Sequence, residues 1–415
     1  MTMTDTPQAD AATGEHYTII SADCHAGGSH AAYREYLDPA FHEDFDAWRG
    51  RYKNPYKDLG DNRRLRNWDN EMRNSQQEED GIAAEVVFPN TVPPFFPSFV
   101  LFAKPPTAEE YRHRRAGVHA HNRWLVDWCG EYPERRAGVG QIFLNDVDDA
   151  MEDVRWIKEH GLRGGVLLPN IAPDVKWVKP LYDPCYDPLW SLLEDLEMPV
   201  NVHSGTGNPD YGPYPVSMML YIDEVLFYTE RPFVQLVLSG VFERHPRLKF
   251  VMTEAGCAWV PPLLERLDAR IRGFRQGAIG EIRYADDQIL PKDASEYFAQ
   301  NCWMGVSQPS DADVEARHLI GIDKFMWGSD YPHDEGTYPY TRENLRARFH
   351  DTPEDELRRM LAGNAAAMYD FDLDALAPLA ARIGPTVAEV REPIDGIPEK
   401  HLQKLSSDMD SKALK

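Results

Sequence analysis

The sequence predicts a (β/α)8 TIM barrel with a long insertion after the first strand and a C-terminal arm. Eight short apolar runs alternate with helical segments along most of the 415 residues, and this alternation is typical of a parallel sheet connected by crossover helices. Acidic residues or histidines follow four of the eight runs. Because a barrel of this kind places the carboxyl ends of all its strands on one face, these polar side chains would meet there.

The apolar runs and their spacing define the elements in order. The predicted strands are residues 17–22, 83–88, 137–144, 164–168, 199–203, 248–252, 302–306 and 325–327. Helical spacing predicts helices over residues 108–129, 146–160, 183–196, 232–243, 259–272, 343–350 and 354–369. We therefore expect one barrel domain over residues 17–370, after a flexible leader (1–16). Residues 29–80 would form the insertion, and residues 371–415 an arm that wraps a partner subunit or stays mobile.

The composition indicates a globular protein and argues against two classes of partner. Its formal net charge of -24 argues against nucleic acid or an anionic membrane as a partner, because both bind basic surfaces. No apolar run reaches the ~20 residues that a membrane helix needs. The five cysteines are odd in number and widely spaced, which favours reduced thiols. The first fifteen residues lack an apolar signal core, so we expect a cytoplasmic protein.

Two segments between strands invite a functional interpretation. Residues 91–102 are apolar but broken by prolines, so they form neither a regular helix nor a central strand. They could cover the site as a lid or be buried at a subunit contact, and both interpretations stay open. The helix over residues 108–129 carries His113, His119 and His121. Their spacing does not place them together on one face, so we expect no metal site there.

The first candidate site residues are Asp23 and His25, at the end of the first strand. Residues two apart on an extended backbone point to the same face, as two ligands of one metal ion require. An incidental acidic residue and histidine at a strand end would look the same, so this pair alone leaves the choice open.

Four further residues with metal-binding side chains follow later strands. They are His203 after the fifth strand, Glu254 after the sixth, and Asp330 with His333 after the eighth. In a barrel all four would converge with Asp23 and His25. Carboxylate and imidazole ligands suit Zn²⁺, Fe²⁺ or Mn²⁺, and we expect one or two divalent ions per chain.

With these motifs, residues 17–369 resemble the amidohydrolase superfamily, specifically the amidohydrolase-related branch that includes aminocarboxymuconate semialdehyde decarboxylase. The resemblance is carried by residues 21–25 (SADCH), 199–203 (PVNVH), 240–246 (GVFERHP), 327–333 (WGSDYPH) and 363–366 (GNAA). It implies that Asp23, His25, His203 and Asp330 bind metal and that Asp330 also shuttles a proton. Together with the long C-terminal arm, it also indicates a homo-oligomer.

One departure from the family pattern concerns the reaction. Decarboxylases of this branch commonly carry a histidine just after strand six, where this sequence has Glu254. Glu254 could instead bind or bridge a second metal, which His333 would help to hold, and such a pair activates a water molecule. Alternatively, Glu254 orients another ligand. His333 could equally hydrogen-bond a developing oxyanion.

These observations favour a metal-dependent hydrolase. It would cleave a carbonyl-centred bond (amide, ester, thioester or C–C) in a bulky hydrophobic or aromatic molecule, with Asp330 taking the proton of the attacking water. The alternative is a nonoxidative decarboxylase of an aromatic or unsaturated acid. A barrel that only binds its ligand is a third interpretation.

Overall fold

Eight parallel strands form a nearly closed barrel in a computed structural model that describes residues 15–52, 65–97, 103–277 and 279–399. Each strand pairs with the next in sequence order. The first and last strands are joined where the Asp330 N–H donates to the Asp23 carbonyl over 2.8 Å and Cys24 bridges Tyr331. This confirms the predicted barrel. The strands are β1 (Ile20–Ala26), β2 (Ala84–Pro89), β3 (Arg136–Gln141), β4 (Gly165–Leu167), β5 (Val200–His203), β6 (Phe250–Thr253), β7 (Cys302–Ser307) and β8 (Phe325–Gly328).

Helices surround the barrel and fill the segments between its strands. None of the described helices is long and apolar enough to cross a membrane. They are α1 (His30–Tyr36), α2 (His42–Arg51), α3 (Asn70–Glu79), α4 (Ala108–Gly130), α5 (Val147–Glu159), α6 (Asp187–Asp195), α7 (Ser217–Leu238), α8 (Val241–Arg244), α9 (Val260–Arg275), α10 (Ala294–Asn301), α11 (Asp311–Ile320), α12 (Thr341–Phe349), α13 (Glu354–Arg358), α14 (Asn364–Tyr369), α15 (Leu373–Ile383) and α16 (Val387–Val390).

Side chains fill the barrel interior in alternation along the strands. On β2, Val86 belongs to the buried cluster inside the barrel, which is called the interior cluster below. Val87 belongs to the other large buried cluster, between the strands and the surrounding helices. This is the period of two that a strand imposes. Helix α14 adds Ala365 and Tyr369 to the interior cluster, and the Tyr369 hydroxyl donates to Asn201 Oδ1 over 2.8 Å. The interior is therefore a packed core, and chemistry is confined to its end face.

The insertion after β1 is anchored to the barrel by a buried ion pair. Arg73 of α3 and Glu85 of β2 are both almost fully buried. The Arg73 Nε donates to Glu85 over 2.9 Å, and its Nη1 donates to the His25 carbonyl over 2.8 Å. Helix α3 therefore supports a strand of the candidate site. Residues 53–64 of the predicted insertion lie outside the described residues.

The structure differs from the predicted elements at several boundaries. β1 runs to Ala26, so Asp23 and His25 lie inside the strand. The helix expected over residues 232–243 begins at Ser217 and ends at Leu238, because Gly240 takes a left-handed conformation with φ of 72°. Part of the expected arm forms α15 and α16, and its residue Leu376 packs into the interior cluster. Residues 1–14, 98–102 and 400–415 of the other predictions lie outside the described residues.

Candidate metal centre

Four of the six predicted site residues form a fully buried cluster at the carboxyl ends of the strands. Asp23, His25, His203 and Asp330 have no solvent exposure. Asp23 Oδ1 lies 3.3 Å from the Nε2 atoms of both His25 and His203. His25 Nε2 also lies 3.4 Å from Asp330 Oδ1. The structure therefore brings together side chains from positions 23 to 330 of the chain.

The two buried imidazoles are oriented with the same nitrogen toward the cluster. His25 Nδ1 lies 3.3 Å from the carbonyl of Pro89, and His203 Nδ1 lies 3.0 Å from the carbonyl of Ser204. Because a carbonyl can only accept, these contacts favour a proton on each Nδ1. Each Nε2 then presents a lone pair to the cluster, which is the orientation of a metal-ligating histidine.

Asp330 and His333 form the polar part of the site beside this cluster. His333 Nδ1 lies 2.7 Å from Asp330 Oδ1, and His333 Nε2 lies 3.1 Å from the side-chain oxygen of Asn90. Gln308 Nε2 donates to Asp330 Oδ2 over 3.2 Å. The His333 side chain remains 24% exposed, so it connects the buried carboxylate to the outside.

Glu254 lies at the edge of the cluster and is held by its neighbours. Its Oε2 accepts a short hydrogen bond from the Ser204 hydroxyl and lies 3.5 Å from His203 Nδ1. One ligand atom each of Glu254, Asp330, His333 and Glu335 nevertheless lies within 4.8 Å of the other three. The structure thus places Glu254 on the Nδ1 side of the His203 imidazole. It also makes Glu254 a member of a second group of candidate ligands.

Sequence reasoning missed three polar neighbours of the cluster. Ser307 donates to Asp23 Oδ2 over 2.5 Å, while Gln308 and Asn90 contact Asp330 and His333 as described. All three lie at or just after the ends of β7 and β2. The rule that strand ends collect functional groups would have found them, had it been applied to every strand rather than to those followed by acidic residues or histidines.

Local backbone geometry turns several of these side chains inward. Glu254, Gln308 and Asp330 follow β6, β7 and β8 and take φ values of 59°, 48° and 58°. A residue with a Cβ atom adopts this left-handed region at a cost of about 1 kcal/mol or more. Three such residues at neighbouring strand ends indicate that the site is held in a strained, fixed arrangement.

The pKa values reflect a centre with excess negative charge. Burial lowers the pKa of His25, but the carboxylates of Asp23 and Asp330, 3.3 and 3.4 Å from its Nε2, outweigh it and raise the pKa to about 9. Burial likewise disfavours charge on His203, whose pKa the carboxylates of Glu254 and Asp23 raise to about 9. For Glu254 burial dominates and raises the pKa to about 7. The same negative field that favours protonated imidazoles favours a bound cation.

The side chains fit a divalent cation. Among the described residues, His25 Nε2, Asp330 Oδ1 and His333 Nδ1 are buried atoms without a hydrogen-bond partner of acceptable geometry. Such unpartnered buried atoms are costly unless a ligand satisfies them. Ligand atoms of Asp23, His25 and His203 lie within 4.8 Å of one another, as do those of His25, Asp330 and His333. Imidazoles and carboxylates in this arrangement suit Zn²⁺, Fe²⁺ or Mn²⁺.

The histidines of α4 do not join this centre. His121 is fully buried, its Nδ1 lies 2.7 Å from the Tyr33 hydroxyl, and burial lowers its pKa to about 3. His119 Nε2 lies 2.8 Å from Asp153. His121 therefore packs against Tyr33, and His119 pairs with Asp153.

The fold and the cluster together define the class of this protein: a TIM-barrel enzyme with a candidate metal centre at the carboxyl-end face. The profile described as "Amidohydrolase" matches residues 23–371, and the chain belongs to that family. This confirms the resemblance to the amidohydrolase superfamily.

Similar proteins include several decarboxylases. The chain is 30% identical over 264 residues to gamma-resorcylate decarboxylase of Rhodococcus jostii, covering 60% of this chain and 75% of that protein. It is 23% identical over 292 residues to the Rhizobium enzyme of the same name, covering 67% and 83%. The structure of 5-carboxyvanillate decarboxylase from Novosphingobium aromaticivorans, complexed with manganese and 4-hydroxy-3-methoxy-5-nitrobenzoic acid, matches with a TM-score of 0.63 at 18% identity. That match covers 88% of this chain and 100% of the other.

These similarities correct the expected reaction. The prediction of a hydrolase is wrong, because the matched relatives are decarboxylases. It rested on Glu254 as a ligand of a second ion. In the structure the Glu254 carboxylate accepts from Ser204 and lies 3.5 Å from His203 Nδ1, and a ligand atom of Glu254 also lies within 4.8 Å of those of Asp330 and His333. The presence of Glu254 in place of a histidine after strand six was therefore a poor guide to the reaction.

Proposed function

We propose that this chain is a metal-dependent nonoxidative decarboxylase of an aromatic carboxylic acid. The observation that carries the proposal is the pairing of Asp330 with His333, 2.7 Å apart, at the edge of a buried carboxylate and imidazole cluster. Decarboxylation needs a group that delivers a proton to carbon and a cation that holds the departing carboxylate. The gamma-resorcylate decarboxylase relatives support the same reaction class.

Asp23, His25, His203 and Asp330 would hold one divalent ion. When bound, the ion would supply positive charge that binds and orients the substrate carboxylate. The chain's own residues prepare the position: Ser307 fixes the second oxygen of Asp23 over 2.5 Å, and the Ser204 carbonyl fixes the His203 ring. Manganese in a neighbouring structure supports a hard or borderline cation, within the Zn²⁺, Fe²⁺ and Mn²⁺ class.

Asp330 and His333 would deliver the proton. Burial disfavours charge on Asp330, but the charge of His333 outweighs it and lowers the pKa of Asp330, while Asp330 in turn raises the pKa of His333. The pair therefore holds a proton on His333 that Asp330 can pass to the ring carbon that bears the carboxylate. A C–H bond forms with ring electrons, the C–C bond then returns its electron pair to the ring, and CO₂ leaves.

The test is release of CO₂ by the manganese-loaded protein from gamma-resorcylate, 5-carboxyvanillate and a panel of other hydroxybenzoates. Asp330→Asn keeps the shape of the side chain but removes its ability to transfer a proton. We expect it to lower kcat by at least about a thousandfold. Asp374→Asn, an exposed site on α15, is the control and should leave the rate unchanged. No CO₂ from any acid, or a near-normal rate in the Asp330 variant, would contradict the proposal.

We also propose that the protein is a cytoplasmic homo-oligomer. Support for association comes from the first half of α7, where Met219, Ile222 and Phe227 are each about 60% exposed or more. An apolar helix face of this kind is typical of a protein contact. None of the five cysteines, all within the described residues, forms a disulfide, which favours a reducing compartment. Light scattering on the purified protein measures the subunit number, and a monomer would contradict association.

A further inference from the structure

A cavity of about 460 Å³ lies beside the candidate metal centre rather than on it. None of the six candidate site residues lines it. Gln141 and Leu167, the last residues of β3 and β4, contribute to its lining, as do residues 205–212 of the loop that follows His203. The cavity therefore opens on the same barrel face as the metal centre, and its volume falls in the range of small-molecule sites.

Arg114 of α4 lines this cavity and lacks a close counter-ion among the described residues. The residue is 2% exposed. The nearest carboxylate recorded, that of the half-exposed Glu110, lies 3.9 Å from Nη1, and the Arg114 Nε and Nη2 atoms have no hydrogen-bond partner. Burial lowers the pKa of Arg114 to about 10, so the group is still charged at neutral pH. A buried guanidinium that is compensated only by this distant, half-exposed carboxylate is unfavourable in a resting fold.

Two aromatic rings hold the Arg114 guanidinium in place. Its central carbon lies 4.3 Å from the ring centre of Phe96 and 5.6 Å from that of Phe143. The two rings stack on each other at 6.0 Å, and both line the cavity. Contact with ring faces stabilises the charge but uses none of its N–H donors. The Nε and Nη2 donors are therefore held in position without a hydrogen-bond acceptor among the described residues.

Two more buried polar side chains line the same cavity without complete hydrogen bonding. The Gln141 amide has no partner for either its oxygen or its nitrogen, although its backbone N–H is bonded to Asn122. The Asn170 nitrogen donates to the carbonyls of Thr206 and Tyr228, but its oxygen has no partner. Each unsatisfied buried group destabilises the folded chain. Their convergence with Arg114 on one cavity indicates that a ligand completes them.

The geometry points to a second subsite: we propose that Arg114, assisted by Gln141, binds a carboxylate of the substrate remote from the carboxylate that is lost. The substrate class is then an aromatic dicarboxylic acid, one end of which lies at the metal centre while its ring system lies along Phe96 and Phe143. A carboxylate accepts two parallel hydrogen bonds from a guanidinium and removes its uncompensated charge. This inference rests on the proposed decarboxylase function and adds to it the identity of the far end of the substrate.

The test compares matched acids that differ only in a second carboxylate. The pairs are benzoate with benzene-1,3-dicarboxylate, 2-naphthoate with naphthalene-2,6-dicarboxylate, and biphenyl-4-carboxylate with biphenyl-4,4′-dicarboxylate. Binding to the full-length, manganese-loaded protein is measured by calorimetry. We expect at least one diacid to bind about tenfold or more tightly than its monoacid, as a charge-assisted hydrogen bond predicts. Equal affinities in all three pairs would overturn the subsite.

Three single variants assign the effect to Arg114. Arg114→Met should abolish the advantage of the diacid and leave monoacid binding within about twofold. Gln141→Leu should reduce it partly. Arg112→Met, an exposed arginine two residues away on α4, is the matched control and should retain it. A diacid advantage that survives in Arg114→Met would refute the assignment.

Thermal stability separates a ligand-binding arginine from a structural one. Because the only carboxylate recorded near the Arg114 charge among the described residues is that of Glu110, 3.9 Å away, Arg114→Met should keep or raise Tm while diacid affinity falls. A lower Tm with equal losses for monoacids and diacids would show a structural role instead. The proposed function can fail separately: if no acid of any kind releases CO₂ but diacid binding still depends on Arg114, then the reaction is wrong and the subsite stands.

Discussion

The buried ion pair between Arg73 and Glu85 gives a sharp prediction about stability. Arg73 is fully buried and Glu85 is 1% exposed, and they share several hydrogen bonds. We consider Arg73→Met, which keeps most of the side-chain volume but removes the charge. The variant leaves the Glu85 carboxylate buried, with only Gln77 at 2.7 Å and Arg136 at 3.4 Å as polar neighbours among the contacts described.

The pKa of Glu85 sets the size of the effect. Burial by itself would raise this pKa, but the charge of Arg73 outweighs it and lowers the pKa from 4.5 to about 2. At 1.36 kcal/mol per unit, the difference of about 2.5 units corresponds to about 3 kcal/mol of net stabilisation. Breaking a buried pair by removing one partner typically costs about 3–5 kcal/mol. We therefore expect Arg73→Met to lower the free energy of unfolding by about 3–5 kcal/mol at pH 7.5.

The effect has a defined pH dependence. Because the folded-state pKa of Glu85 is depressed, its contribution is fully present above the unfolded value of 4.5 and is lost as pH falls toward 2. The difference between wild type and Arg73→Met should therefore shrink as pH falls below 4.5. It should reach its full size only above the raised pKa that burial gives Glu85 in the variant. Replacing both partners, in Arg73→Met/Glu85→Met, removes the buried carboxylate as well, but Arg136 then loses the oxygen that lies 3.4 Å from its Nε. The double variant should therefore recover only part of the loss.

Urea unfolding followed by circular dichroism measures these differences. Arg34→Met is the matched control, because Arg34 makes a similar two-bond contact with Asp46 at the surface, where the side chains are 42% and 56% exposed. Its loss should have little effect on stability, because solvent screens an exposed pair. If Arg73→Met costs no more than the control, then burial does not determine the strength of this pair and the reasoning fails.

Two further predictions concern a buried carboxyl and a glycine. Asp80 is 3% exposed, and burial raises its pKa to about 6. The folded state thus keeps a proton on Asp80 that the unfolded chain releases near pH 3.8. The free energy of unfolding therefore falls as the pH rises from about 4 to 6, by at most about 3 kcal/mol. Asp80→Asn should not show this loss of stability. Urea unfolding of both proteins at pH 4.5 and 8 measures it, and an equal change in unfolding free energy for both would contradict the raised pKa of Asp80. At Gly328 an added Cβ would lie 2.8 Å from Asp23 Cβ and Ser307 Oγ. Gly328→Ala should cost about 1–3 kcal/mol and weaken manganese binding in a calorimetric titration, whereas wild-type affinity would show that Asp23 is not displaced.

Several features of this protein could be read from local sequence. Apolar runs such as the one that forms β8 predict strands because a buried parallel strand must be apolar on both faces. The spacing of Asp23 and His25 predicts a shared face because side chains alternate along a strand. Once the barrel is assumed, its geometry brings His203 and Asp330 to the same end, since all strands are parallel. The architecture and the candidate cluster therefore follow from local periodicity and one topological rule.

The remaining features were decided by tertiary structure. Ser307 and Gln308 lie at the end of β7, where the strand-end rule marks them as candidates, but their partners Asp23 and Asp330 belong to β1 and the segment after β8 and are known only from the fold. The partner of Arg73 and the isolation of Arg114 depend on contacts between elements far apart in the chain. Burial places Arg73 in a strong ion pair and leaves Arg114 with a poorly compensated charge. It arises only when the chain has folded, because it is a property of the surroundings and not of the residue.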